Sequence, residues 1–140
     1  IIHNNTIYSL RSVCYGIGIN ETGAILKNNI IVSGGFAYWT ASSEVENTIT
    51  SEYNYFVGTS CLVSRSRYGC AYSTLKDWNY TGNDTQSSEV SSVADVKFFK
   101  TVGYPTACET MDLRLREGSP ALALKAGAFP IAPPNNLSIR

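Results

Sequence analysis

Short apolar words separated by Asn, Gly and Ser run through the first half of the chain. Asn28-Asn29-Ile30-Ile31-Val32 has an echo upstream, Asn4-Asn5-Thr6-Ile7-Tyr8, and a weaker one downstream, Tyr53-Asn54-Tyr55-Phe56-Val57. The second Asn recurs at positions 5, 29 and 54, in steps of 24 and 25 residues. A period of that length built from strand-like words marks a stacked repeat. Superimposing the words puts Ile7, Ile31 and Phe56 in one column, Tyr8, Val32 and Val57 in the next, and Ser9, Ser33 and Gly58 at the exit. In a parallel stack, like residues lie roughly 4.8 Å apart, so each apolar column is continuous and each Asn meets the Asn of the next repeat. A buried Ile in such a column contributes on the order of 1.5–3 kcal/mol.

The same pattern predicts the remaining elements. Tyr15 to Ile19 alternates apolar residues with Gly, the period of a half-buried strand, and places Ile17 and Ile19 in the core. Asn20 to Gly23 is a turn, Ala24 to Val32 holds two short strands around the Asn pair, and Phe36 to Trp39 opens the next repeat. Val45 to Thr50 reads as a Thr-rich strand. Beyond Thr59 the period is lost, and Phe98 follows Phe56 by 42 residues, so 59–92 is expected to be a long loop leaving the stack. Strand signal returns at Val93 to Phe99 and at Asp112 to Arg116, where Leu113 and Leu115 point inward and Gly118-Ser119-Pro120 turns the chain. Pro130, Pro133 and Pro134 make the 130–140 tail irregular. No stretch keeps helical periodicity over three turns with good helix formers. The expectation is an all-β single domain with regular repeats over 1–58, the 59–92 loop, final repeats over 93–129 and the tail.

Composition narrows the function classes. Eleven basic and eleven acidic residues in 140 give a formal net charge of zero, so no basic field gathers nucleic acid or an anionic membrane surface. Apolar runs are far shorter than a bilayer span, and the chain opens on Ile1-Ile2 without Met, as a trimmed piece would. The four cysteines, Cys14, Cys61, Cys70 and Cys108, show no metal-binding spacing, and His3 is the sole His, so neither a metal site nor a cofactor is expected. Cys61 and Cys70 close a short segment that suits either a disulfide or two buried thiols. Five Asn-x-Ser/Thr sequons, at Asn4, Asn20, Asn79, Asn83 and Asn136, suit strand edges and turns as well as glycan attachment.

Three motifs carry a resemblance to a known family. They are Asn28 to Val32 with its echoes, Tyr53-Asn54-Tyr55-Phe56 leading to Ala94-Asp95-Val96-Lys97-Phe98-Phe99, and the closing Asp112-Leu113-Arg114-Leu115-Arg116-Glu117-Gly118-Ser119-Pro120-Ala121-Leu122. Their order resembles the C-terminal coils of right-handed parallel β-helix repeat proteins of the pectate-lyase-like superfamily. The resemblance implies about four three-sided coils, an extracellular or cell-envelope setting, and a class in which many members act on polysaccharides while others serve as adhesins or phage tail parts. Fold alone does not license the activity.

Candidate chemistry falls in two places. Glu44 and Glu46, with Glu52, would form a carboxylate row on an outer face if their segment were a strand, as acid/base work on a sugar requires; the alternative is a solvated face. Arg65, Arg67, Tyr68, Tyr72, Lys76, Asp77, Trp78 and Tyr80 offer cations and aromatic faces suited to an acidic sugar; the alternative is a loop packing its own aromatics. His3 has no carboxylate placed to support it as a base. The leading expectation is a polysaccharide-associated module. The other is a structural module that self-associates as a two-fold homo-oligomer through the open edge of its first coil.

Overall fold

The structure, a computed structural model, describes residues 1–9, 14–66, 69–101 and 112–127. Its strands are β1 (Ile2–His3), β2 (Thr6–Ser9), β3 (Tyr15–Ile19), β4 (Ile25–Lys27), β5 (Ile30–Ser33), β6 (Phe36–Thr40), β7 (Thr50–Glu52), β8 (Tyr55–Val57), β9 (Cys61–Ser66), β10 (Gly69–Tyr72), β11 (Ser88–Val90), β12 (Phe98–Lys100) and β13 (Asp112–Leu115). Among the described residues the short helices α1 (Ser43–Glu46), α2 (Leu75–Asn79), α3 (Val93–Val96) and α4 (Pro120–Ala123) punctuate them. Chain order deals consecutive strands to three sheets in turn: β1-β4-β7, β2-β5-β8-β11 and β3-β6-β9 with β10 added at its edge. All pairings inside this stack are parallel except β9 with β10, which run antiparallel. The chain therefore rises through three successive tiers, β1 to β3, β4 to β6 and β7 to β9, and β11 begins a fourth.

Register follows the sequence columns. Ile7 pairs with Ile31 and Ile31 with Phe56, while Tyr8, Val32 and Val57 align beside them. The two columns face opposite ways. Ile31 and Phe56 join Leu26, Ile17, Tyr38 and Val63 in one core that draws on all three sheets. Ile30, Val32, Tyr55 and Val57 point outward and would be wet, but Val96, Phe98, Leu115, Ala121 and Ala126 cover them in a second core. Gly16 explains why the alternation in β3 uses the smallest residue: a Cβ there would lie 2.5 Å from Ile31 Cγ2 and 2.9 Å from the Ala37 carbonyl oxygen.

The Asn pairs make the corners between the first two sheets. Asn4 and Asn28 take left-handed backbone at φ 57°, as does Tyr53 at the equivalent place in the third tier. Asn tolerates that region better than other side-chain-bearing residues, which is why the doublet recurs. The second Asn of each doublet is a rung. The Asn29 Oδ1 accepts the Asn5 backbone N–H at 3.1 Å and its Nδ2 at 3.3 Å, and the Asn54 Oδ1 accepts the same two groups of Asn29 at 2.9 and 3.0 Å. Asn29 and Asn54 are fully buried. Their Nδ2 atoms also donate to the carbonyls of Ile2 and Leu26, so each carboxamide ties two sheets together.

Four expectations are corrected. Val45 to Thr50 is not a strand: Ser42 accepts the Val45 N–H and starts α1, so local capping outweighs the β-propensity of the Thr residues. The 59–92 segment is not one long loop, since β9 and β11 lie in the parallel sheets; only the β9–β10 hairpin, α2 and the turn after it depart from the stack. Val93 to Phe99 is not one strand, because Ser92 caps α3 and Lys97, at φ 57°, ends it before β12. The 93–127 segment adds no parallel tier; β12 pairs antiparallel with β13, and Gly127 at φ 84° brings the chain onto Ile30, where a Cβ would meet Ile30 Cδ1 at 2.5 Å. The 103–108 loop and the 130–140 tail lie outside the described residues.

Candidate functional site

The predicted residues part company in the structure. Glu44 is exposed on α1, and its neighbour Glu46 turns inward and is only 3% exposed. Glu46 Oε1 accepts the Thr40 hydroxyl at 2.6 Å, and the Arg65 guanidinium binds both carboxylate oxygens, with Nη2 to Oε2 at 2.7 Å. Two of the sequence candidates thus form one ion pair, at the C-terminal ends of β6 and β9. The partnership raises the Arg65 pKa, through the hydrogen bonds first and the opposite charge second. Glu52 is instead paired with Lys27, 3.1 Å away, on the outer side of the first sheet.

The aromatics divide as well. Trp78 is fully buried on α2, whose start is fixed by a reciprocal cap between Thr74 and Asp77. Its ring meets Tyr72 edge-on at 5.0 Å and Tyr38 at 6.5 Å, so Tyr72 and Trp78 pack the top of the core. Tyr80 is 82% exposed, and Lys76 and Asp77 are exposed on α2. Arg67 and Tyr68 lie outside the described residues. His3 is exposed beside Asn4.

Glu46 and Trp78 nevertheless meet around one cleft of about 200 Å³, lined also by Asn47, Thr50, Ser51, Glu52, Thr81 and Asn83. Ile49, 6% exposed, and the fully buried Trp78 lie in its wall, and the remainder is largely amide, hydroxyl and carboxylate. Directly behind it lies Asp84, fully buried, which sequence reasoning missed. Its Oδ1 accepts from Asn54 Nδ2 at 2.8 Å and from the Ser87 hydroxyl at 2.5 Å, and its Oδ2 accepts Trp78 Nε1 at 2.9 Å. Burial raises its pKa, against the opposing effect of these hydrogen bonds. The Tyr38 hydroxyl is pushed well above its usual range, by burial first and then by the charge of Asp84. Ser87 takes the rung position, accepting the Asn54 N–H at 2.8 Å, so the ladder passes from carboxamides to a hydroxyl backed by a carboxylate. The change of residue type hid this rung from a search for Asn.

Comparison of the chain with protein-family models, curated proteins and solved structures gives no match.

A second surface was also missed. Tyr15 stacks on Trp39 with centroids 5.9 Å apart and planes at 27°, over Gly18, and is 51% exposed. Trp39 Nε1 is buried and has no hydrogen-bond partner among the described residues. A Gly beneath aromatics one strand apart was the available signal. Cys61 and Cys70 form a disulfide across the β9–β10 hairpin, while Cys14 is free. Among the described residues no three His, Cys, Asp or Glu side chains gather as metal ligands, and no helix is long and apolar enough to cross a membrane.

Proposed function

We infer that the tiers are coils of a short parallel β-helix and that this module binds a polysaccharide in the cleft between α1, β7 and the Thr81 to Asn83 turn. The observation that carries the reading is the lining of that cleft. Asn47, Thr50, Thr81 and Asn83 line a volume of about 200 Å³ with Ile49 in its wall and the buried Trp78 beneath it. Hydroxyl-rich ligands are recognised by this mixture of fixed polar groups with an apolar wall. The reading is one of binding: Glu46 is committed to Thr40 and Arg65, and among the described residues no second carboxylate pairs with the exposed Glu44. The Cys61–Cys70 bridge supports a setting outside a reducing cytosol, extracellular or in a cell envelope.

A glycan array of uronate-containing and neutral polymers tests the reading, using the wild type and Thr50→Trp. Thr50 is exposed at the cleft, so the indole fills the cleft with little cost to folding. Saturable binding by the wild type and its loss in the variant are expected. An array without signal, or equal binding by both proteins, would refute the proposal.

A further inference from the structure

The charges around the cleft carry information about its ligand. Among the described residues its lining holds two carboxylates, Glu46 and Glu52, and no Lys, Arg or His. The cations that partner these acids, Arg65 and Lys27, stand outside that lining. The two acids differ in what they have left to offer. Glu46 is 3% exposed, and its oxygens are taken by the Thr40 hydroxyl and the Arg65 guanidinium. The Glu52 side chain is 40% exposed; its Oε2 accepts from Lys27 at 3.1 Å, and its Oε1 accepts nothing from the described residues.

Strand alternation aims these groups. The Ser51 hydroxyl meets Tyr38 and Asn54 in the interior, so Thr50 and Glu52 on either side of it turn the other way, toward the cleft. The Thr50 hydroxyl and the Asn47 carboxamide, both on exposed residues, bond to no described group. Asn83 and Thr81 instead spend theirs on the fold. Asn83 Oδ1 accepts the Ser51 N–H at 3.0 Å, its Nδ2 donates to the Thr81 hydroxyl at 3.1 Å, and that hydroxyl donates to the Trp78 carbonyl at 2.7 Å. What remains for a ligand is a carboxylate oxygen, a hydroxyl and a carboxamide beside Ile49.

On the strength of the binding role proposed above, we propose that the cleft takes a neutral glycan and rejects uronates, with a ring hydroxyl donating to Glu52 Oε1 and further hydroxyls bonding Thr50 and Asn47. A hydroxyl donating to a carboxylate makes a short, charge-assisted bond. A uronate carboxylate brings no such donor, and it sets like charges together on the side away from Lys27 and Arg65. The acidic-sugar expectation counted Arg65 as a free cation, whereas Glu46 holds it.

The test titrates the wild type, Glu52→Gln and Thr50→Trp with soluble glucan, galactan, xylan and mannan, with polygalacturonate and alginate, and with chitosan, all at low salt. Saturable binding of a neutral polymer is expected, at least about tenfold tighter than that of either uronate. Glu52→Gln should weaken it about tenfold, the loss of one charge-assisted bond, and narrow the gap to the uronates. Urea midpoints verify folding, to which the half-exposed Lys27–Glu52 pair contributes little. Uronate binding that exceeds neutral binding and is lost in Thr50→Trp would overturn this specificity and leave the cleft as the site. Chitosan binding tightest, or equal neutral binding by Glu52→Gln and the wild type, would overturn it too. No binding of any polymer would refute the cleft and the specificity together.

Discussion

At one end of the ladder Asn5 is exposed and its Oδ1 receives no donor from the described residues; at the other Asn54 is fully buried and bonded to Asn29, Leu26, Ser51, Ser87 and Asp84. The residue type and the backbone register are the same, so the difference lies in what surrounds each carboxamide. At the closed end the chain inserts α2 and replaces the next Asn with Ser87, while Asp84 collects donors from Asn54, Ser87 and Trp78. A stack is ended by converting a repeating acceptor-and-donor rung into an acceptor that has nothing further to give. Among the described residues the first rung shows no such conversion.

The largest predicted contrast comes from removing one rung at each end. Asn54→Ala leaves several buried groups without partners and is expected to destabilise by roughly 3 kcal/mol or more, whereas Asn5→Ala should cost less than about 1 kcal/mol because water replaces the lost bonds. Urea denaturation of the two variants measures it, and equal losses would break the comparison. Trp78→Phe keeps most of the apolar volume but removes the donor to Asp84, and a loss of roughly 2–3 kcal/mol is expected in the same assay.

Acidity gives a further test of the closed end. Asp84 has a folded-state pKa above its ordinary value of 3.8, so it holds its proton more tightly folded than unfolded. Its contribution to stability is full below the unfolded pKa and is lost as pH rises through the folded pKa. Asp84→Asn removes this loss, so the stability of the variant minus that of the wild type should increase with pH from about 3.8 upward. A difference that decreases over that window would mean that Asp84 is held by charge partners, and not strained by burial. Asp112, lowered to about 2 chiefly by its hydrogen bond to Arg114, acts in the opposite sense and cancels in the subtraction. The smallest effect belongs to the third corner. Tyr53→Asn places a better left-handed residue at φ 57° and should stabilise by roughly 0.5 kcal/mol, with midpoints unchanged or lowered as the contrary result.

The parallel tiers were legible because Asn serves twice at the first two corners, once for the left-handed turn and once for the rung, recurs as the rung at the third, and because Ile7, Ile31 and Phe56 repeat in step. The fourth tier was not, since Ser87 and Asp84 share the work that a single Asn does elsewhere and β11 follows β8 after 33 residues. The hairpin and α2 added within that interval removed the period. Aromatic residues in the same interval suggested a binding loop, yet Trp78 and Tyr72 pack over Tyr38, where the core would otherwise be open. Ser42 before Ser43-Glu44 was a readable helix start that the Thr-rich stretch after it obscured. The pairing of Glu46 with Arg65 depended on β9 lying beside β6, which the lost period concealed.

The account rests on a single ladder that is satisfied at its upper rungs and, among the described residues, receives no donor at its first. Nuclear magnetic resonance of the Asn carboxamide protons tests it most directly. Slow exchange is predicted for the side-chain amides of Asn29 and Asn54, with cross-peaks connecting the two, and fast exchange for that of Asn5. Uniformly fast exchange at all three positions, without cross-peaks between Asn29 and Asn54, would contradict the ladder and the tiers built on it.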